Sequence, residues 1–186
     1  MKEIFVTSDL HLRHNKPFLY EPRGFTSIEE HDEAIVERWN SVVKPDDMVF
    51  LLGDLILNDN EKGIKLLKQL NGQLCVVWGN HDTLARQELI AKELPMTIIL
   101  GYAHQMKYGK WTFYLSHYPT KVGNYDDTKY HKTYCLCGHT HTQNRFADIN
   151  DSCYHVELDA HNNFPVNIEE IKLDLKNYII KSEKSE

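Results

Sequence analysis

Five short apolar runs in this chain each end in a residue able to hold a divalent metal, and that recurrence restricts the fold more than any other feature. Residues 4–8 lead into Asp9-Leu10-His11, 48–52 into Gly53-Asp54, and 74–78 into Gly79-Asn80-His81-Asp82. Residues 111–116 meet His117, and 133–137 meet Gly138-His139-Thr140-His141. Short apolar runs closed by glycine or polar residues read as buried strands. In open α/β sheets, ligands gather just beyond the carboxyl ends of such strands. One such ending is unremarkable; five, all with Asp, Asn or His, describe a metal site.

Composition narrows the setting. A chain of 186 residues fits one domain with a real core, expected over 1–180 with a polar tail at 181–186. Apolar residues make up 41% and charged residues 26%, ordinary for a soluble globular protein. No run approaches a membrane span, and a strand begins at Lys2-Glu3-Ile4 with no signal-peptide core before it, so a cytoplasmic protein with no membrane partner is expected. The net charge of −6 provides no global field for long nucleic acid, so any phosphate must be attracted locally. The cysteines at 75, 135, 137 and 153 lie in or beside apolar runs, which suits reduced core thiols better than a disulfide framework.

Ser27-Ile28-Glu29-Glu30 has the form of a capping box with Glu30 reaching back. Ile28, Ile35, Trp39 and Val42 then recur at helical spacing. Further helices are predicted over 61–70, closed by Asn71-Gly72, and over 83–93, halted by Pro95. The first half thus reads β-α-β-α-β-α, a parallel sheet with covering helices. After Pro95 the pattern changes to short strands at 97–100, 104–108 and 111–116, the last two joined by a tight turn at Gly109-Lys110. Strands at 133–137 and 154–158 complete a second sheet expected to be more antiparallel. A short final helix is expected near 165–171.

Each motif has a plainer reading. Alternation along an extended chain puts Asp9 and His11 on one side, where both can reach one ion, but a lone Asp-x-His is usually a turn. Gly53-Asp54 is a common turn dipeptide, and Asn80 could simply cap a helix. Cys135, Cys137, His139 and His141 could in principle close a tetrahedral zinc site. That spacing is compressed, however, and leaves Asp9, Asp54 and Asn80 without a role, so the cysteines read as core residues. Oxygen and imidazole ligands together favour manganese, iron, zinc or nickel over calcium or magnesium.

Taken in order, Asp-x-His, Gly-Asp, Gly-Asn-His-Asp, a single His and Gly-His-x-His resemble the calcineurin-like metallophosphoesterases. Residues 8–15, 37–40 and 163–166 are similar to small bacterial and phage phosphoesterases of that superfamily. The resemblance implies a four-layer α/β/β/α sandwich of two mixed sheets. It implies a first metal held by Asp9, His11, Asp54 and His141, and a second held by Asp54, Asn80, His117 and His139. His81 would be the catalytic imidazole. One departure stands out: protein phosphatases of the superfamily extend Gly-Asp with further Asp and Arg, whereas Leu55-Ile56-Leu57-Asn58 follow here. Asp82 or a backbone carbonyl is left to orient His81, and a phosphoprotein substrate is disfavoured.

The implied reaction is phosphoester hydrolysis by two divalent ions, manganese foremost, with a bridging hydroxide. A phosphodiesterase on nucleotides or other small esters is expected; the alternatives are a phosphomonoesterase and a non-catalytic metal-binding scaffold. His14, Arg13 and Arg145 are candidate substrate contacts, and Tyr118, Tyr125 and Tyr130 could line the pocket from a long loop.

Overall fold

Strands β1 (Ile4–Thr7), β2 (Met48–Leu52) and β3 (Gln73–Val77) are nearly continuous apolar runs because both of their faces are covered. The computed structural model describes residues 2–122, 133–149 and 152–183. Its first sheet has the order β4-β3-β2-β1-β9, with β4 (Ile98–Gly101) parallel to its neighbour and β9 (Val166–Asn167) antiparallel to β1. Ile4 pairs with Met48 and Met48 with Gln73. The carboxyl ends of β1, β2 and β3 therefore share one edge, where Asp9, Asp54 and Asn80 emerge.

Helix α1 (Pro17–Tyr20) is a single turn after β1 that the sequence reading missed. Helices α2 (Ile28–Val42), α3 (Asn60–Leu67) and α4 (Leu84–Glu93) cover the outer face of the first sheet. Their Ile35, Trp39, Ile64, Leu67 and Ile90 pack on Phe5, Val49, Leu51, Leu74 and Val76. Ser27 Oγ caps α2 by accepting from the Glu30 N–H at 3.1 Å. The Glu30 carboxylate reaches one residue further back than expected, accepting from the N–H and hydroxyl of Thr26.

The second sheet has the order β5 (Ala103–Tyr108), β6 (Trp111–Ser116), β7 (Thr133–Cys137), β8 (Cys153–His155). Only β5 and β6 are antiparallel, across the two-residue Gly109-Lys110 turn; β6, β7 and β8 are mutually parallel. This corrects the expectation of a more antiparallel sheet, as does the place of β4 in the first sheet. Long connections after β6 and β7 allow parallel return, which a hairpin does not. Phe113, Leu115, Tyr134, Leu136 and Tyr154 face Val6, Phe50, Leu52 and Val77 across the interior between the sheets.

The chain closes differently from the short helix expected at 165–171. Val166 pairs with Val6, and α5 (Ile168–Glu183) then runs for 16 residues. Ile168, Ile171 and Leu175 recur at helical spacing and complete the interior. The observed architecture is two mixed sheets packed face to face with flanking helices. Among the described residues, no helix is long and apolar enough to cross a membrane.

Candidate metal centre

The strand-end loops converge by an unusual backbone route. Asp9, His11, Asp54, His139 and His141 all have positive φ, between 48° and 74°. Each such residue costs roughly 1–2 kcal/mol when it is not glycine, and strain of this kind gathers at functional sites. Asp9 and His11 are therefore not side by side through strand alternation, as the sequence suggested. They share a side because the loop after β1 turns left-handed at both.

Two glycines permit the close approach. A Cβ on Gly79 would collide with the Asp54 carboxylate and backbone, and one on Gly138 with Ser8 and the Asp9 carboxylate. The glycines of Gly-Asn-His-Asp and Gly-His-x-His are thus steric requirements of the site.

The side chains form two donor groups. In the first, Asp9 Oδ1 lies 3.5 Å from His11 Nε2 and 3.7 Å from His141 Nε2, and those nitrogens are 3.1 Å apart. In the second, His117 Nε2 lies 2.8 Å from Asn80 Oδ1 and 3.2 Å from His139 Nδ1. Asp54 Oδ2 stands between them, 3.5 Å from both His11 Nε2 and His117 Nε2. Ligand nitrogens sit about 2.0–2.1 Å from an ion such as zinc, so two ligands sharing an ion lie roughly 3–3.5 Å apart. The observed spacings, from 2.8 to 3.7 Å, bracket that range. Asp9 Oδ1 is buried without a hydrogen-bond partner, and a buried, unpaired carboxylate oxygen is costly unless a cation faces it. The donor set therefore fits divalent metal.

Protonation suits ligation at two of the imidazoles, whereas at His141 burial is outweighed by Asp159 and Asp9, which raise it. Burial drives His11 down to about 4, against the pull of Asp9, and burial with the charge of His117 lowers His139. Neutral imidazole is the ligating form. Burial pushes the Asp54 carboxyl up to about 6; Asp9 and Asp82 add to this, while His117 and the His81 N–H oppose it. Burial would also raise Asp9, but the adjacent His11 imidazole, with the charges of His117 and His141, outweighs that and holds it below the usual range.

Further residues orient the donor side chains. Asp82 was a candidate for aligning His81, but its carboxylate accepts the N–H groups of Asp54, Leu55 and Gly79 at 2.8, 3.1 and 2.8 Å. It fixes the turn that carries Asp54. The His81 N–H donates to Asp54 Oδ1 at 2.9 Å, leaving Oδ2 to face the donor groups. The His81 imidazole is 44% exposed with Nε2 4.0 Å from Asp54 Oδ2, outside both groups and open to solvent.

Arg23, Asp159 and Glu157 were not singled out from the sequence. Asp159 Oδ2 is 3.0 Å from His141 Nδ1 and is gripped through both oxygens by Arg23, which also donates to the Asp9 carbonyl at 2.8 Å. Buried Glu157 accepts from the Thr140 hydroxyl and the Thr142 N–H, bracing the loop that holds His139 and His141. Residues 153–156 running into Glu157-Leu158-Asp159 form a sixth apolar run with a polar ending, the signal that could have revealed both acids. Nothing in the local sequence marks Arg23.

Of the proposed substrate contacts, Arg13 is held by Asp32 and Glu29 and Arg145 by Glu170, Asp174 and the Ala160 carbonyl. His14 lies beside the site, its ring 5.3 Å from that of His11 and 6.1 Å from that of His81. Burial, with His81 and Lys16 nearby, lowers it to about 4. Tyr118 is half exposed, with its ring 4.6 Å from that of His139; Tyr125 and Tyr130 lie outside the described residues. The compressed Cys-x-Cys-x-His-x-His site does not form: His141 groups with Asp9 and His11, whereas Cys135 and Cys137 gather with Cys153.

The sequence model of the calcineurin-like phosphoesterase superfamily domain matches residues 1–157. An uncharacterized protein of Methanocaldococcus jannaschii is 40% identical over 84 residues, 44% of this chain and 48% of that protein. The Gene 66 protein of Mycobacterium phage L5 is 36% identical over 86 residues, 44% of this chain and 41% of that protein. The chain thus spans less than half the length of these curated relatives. Among solved structures, a protein of unknown function from Aquifex aeolicus superposes with a TM-score of 0.71 at 20% identity, covering 92% of this chain and 98% of that one. That likeness shows a shared fold.

The bracing acids generate a pH prediction. His155 is buried between Glu157 and Asp148, at 3.1 and 2.9 Å. Burial opposes its protonation, but the two carboxylates prevail and raise it above 6.5. Its contribution to stability is therefore complete below pH 6.5 and is lost as pH rises through the raised value. In metal-free protein, the melting-temperature gap between wild type and His155→Asn should shrink steadily from acidic to alkaline pH. A gap that widens with pH contradicts this assignment.

Proposed function

The chain belongs to the calcineurin-like phosphoesterase superfamily, and on that premise we propose that it hydrolyses small phosphodiesters, nucleotides among them, with two divalent ions, manganese foremost. The observation that carries this reading is the position of Asp54 Oδ2, 3.5 Å from one imidazole of each donor group. Asp9, His11 and His141 with Asp54 would hold one ion, and Asn80, His117 and His139 with Asp54 the other. Such a pair supplies a potent nucleophile from water at neutral pH and a positive clamp for phosphoryl oxygens.

The protein groups have separate tasks. Asp159 and Arg23 keep His141 aimed inward, and Asp82 holds the turn of Asp54. Carboxylate-to-histidine contacts of this kind typically fix ring orientation and raise ligand basicity. His81, outside the donor groups and half open to solvent, would donate a proton to the leaving oxygen. His14, buried and neutral, offers the substrate a hydrogen bond without charge. Arg13 and Arg145 are already committed to carboxylates.

Asp54→Ala should weaken metal binding in both groups at once, read by elemental analysis after manganese loading and dialysis. Loss of only one ion would separate Asp54 from the second group. His81→Ala should keep its metal while kcat falls by about 10²–10⁴-fold; an unchanged rate with metal in place would remove His81 from the chemistry.

Substrate choice follows from the surroundings of the site. A metal pair grips one phosphoryl group whatever its ester, so selectivity must come from neighbouring surface. The stretch after Asp54 is Leu55-Ile56, fully buried, with no basic residue to meet a phosphoprotein. The net charge of −6 gives little attraction for a long polyanion. With manganese, kcat/KM should be higher for bis-p-nitrophenyl phosphate or a 2′,3′-cyclic nucleotide than for a phosphopeptide. Preference for the phosphopeptide contradicts the proposal, preference for a nucleoside monophosphate makes the protein a phosphomonoesterase, and no turnover of any ester supports a binding scaffold.

A further inference from the structure

Three of the four cysteines collect in a group that shares no residue with the carboxylate and histidine centre. Along β7, Tyr134 and Leu136 point into the interior between the sheets, so Cys135 and Cys137 occupy the opposite face. Cys153 of β8 pairs with Cys135 across the ladder and joins the same face. All three are buried and outside any disulfide, and their sulfurs lie within 4.8 Å of one another. Tyr114 and Val122 pack against them. The Thr120 carbonyl accepts from Cys153 Sγ at 3.3 Å, and Ser116 Oγ lies 3.5 Å from Cys135 Sγ.

From this geometry we infer that Cys135, Cys137 and Cys153 form a second metal site, for a soft, thiophilic cation of the zinc or copper(I) type. A zinc–sulfur bond is about 2.3 Å, which places two sulfurs sharing an ion roughly 4 Å apart, close to the separation within 4.8 Å found here. No carboxylate belongs to the group, so the site selects thiophilic ions and leaves manganese to the oxygen and imidazole donors. A disulfide accounts for only two sulfurs, whereas all three are mutually close. Binding converts each thiol that ligates to thiolate and releases its proton to solvent. The backbone carbonyl of Thr120 stands at the rim as a further oxygen donor. Cys137 directly precedes Gly138, so this site abuts the loop bearing His139 and His141 without using either.

The test titrates the manganese-loaded full chain with Cd²⁺, whose bonds to sulfur give an ultraviolet charge-transfer band. The band should saturate at one equivalent in wild type and vanish in Cys135→Ser and Cys153→Ser, each checked for fold by circular dichroism. It should persist in Cys75→Ser, whose thiol lies in the interior between the sheets. ¹¹³Cd resonance of wild type needs no variant and should show a downfield, sulfur-rich signal distinct from nitrogen and oxygen sites. Absence of both band and downfield signal in wild type, or a band unaffected by Cys153→Ser, overturns the inference and leaves the thiols as packing residues. Because both readouts report sulfur, they stand apart from success or failure of the phosphoesterase reading.

Discussion

Two buried carboxylates, Asp9 and Asp54, set the terms for the rest of this structure. Both are essentially inaccessible to solvent, and a charge in that position is costly unless it is paired. Each has one oxygen held by a backbone N–H, Asp9 Oδ2 by His139 and Asp54 Oδ1 by His81. The other oxygen of each faces imidazole nitrogens. A cation at that point would offset the burial, and the surrounding loops hold the geometry that could receive it.

The scaffold that permits this is sheet register combined with local strain. Parallel strands β1, β2 and β3 end together, so loops distant in sequence start from one edge. Left-handed backbone at Asp9, His11, Asp54, His139 and His141 then turns side chains inward, while Gly79 and Gly138 let the loops touch. The second sheet adds His117, His139 and His141 from β6 and β7, and the acids after β8 brace them. Packing of the two sheets across a shared apolar interior brings the two halves of the site together.

Much of this was readable in the sequence because buried strands are continuous apolar runs and their ends are abrupt. The same signal brought Asp9, His11, Asp54, Asn80, His117, His139 and His141 to attention, and the structure gathers them. What escaped was set by relations that a linear pattern does not carry. Arg23 and Asp159 meet across 136 positions. The parallel pairing of β6, β7 and β8 depends on how the connecting segments return, which alternation does not encode. The positive φ values fall on Asp and His, where no glycine advertises them. Val166, read as the start of a helix, pairs with Val6 because the edge of β1 needed a partner.

The central claim is that one carboxylate, Asp54, serves two ions. A crystal of manganese-loaded protein, measured at the metal's absorption edge, tests it most directly. The account predicts two anomalous peaks, one among Asp9, His11 and His141 and one among Asn80, His117 and His139, each within bonding distance of the Asp54 carboxylate. A single peak at full loading, or a second peak that Asp54 does not touch, would contradict it.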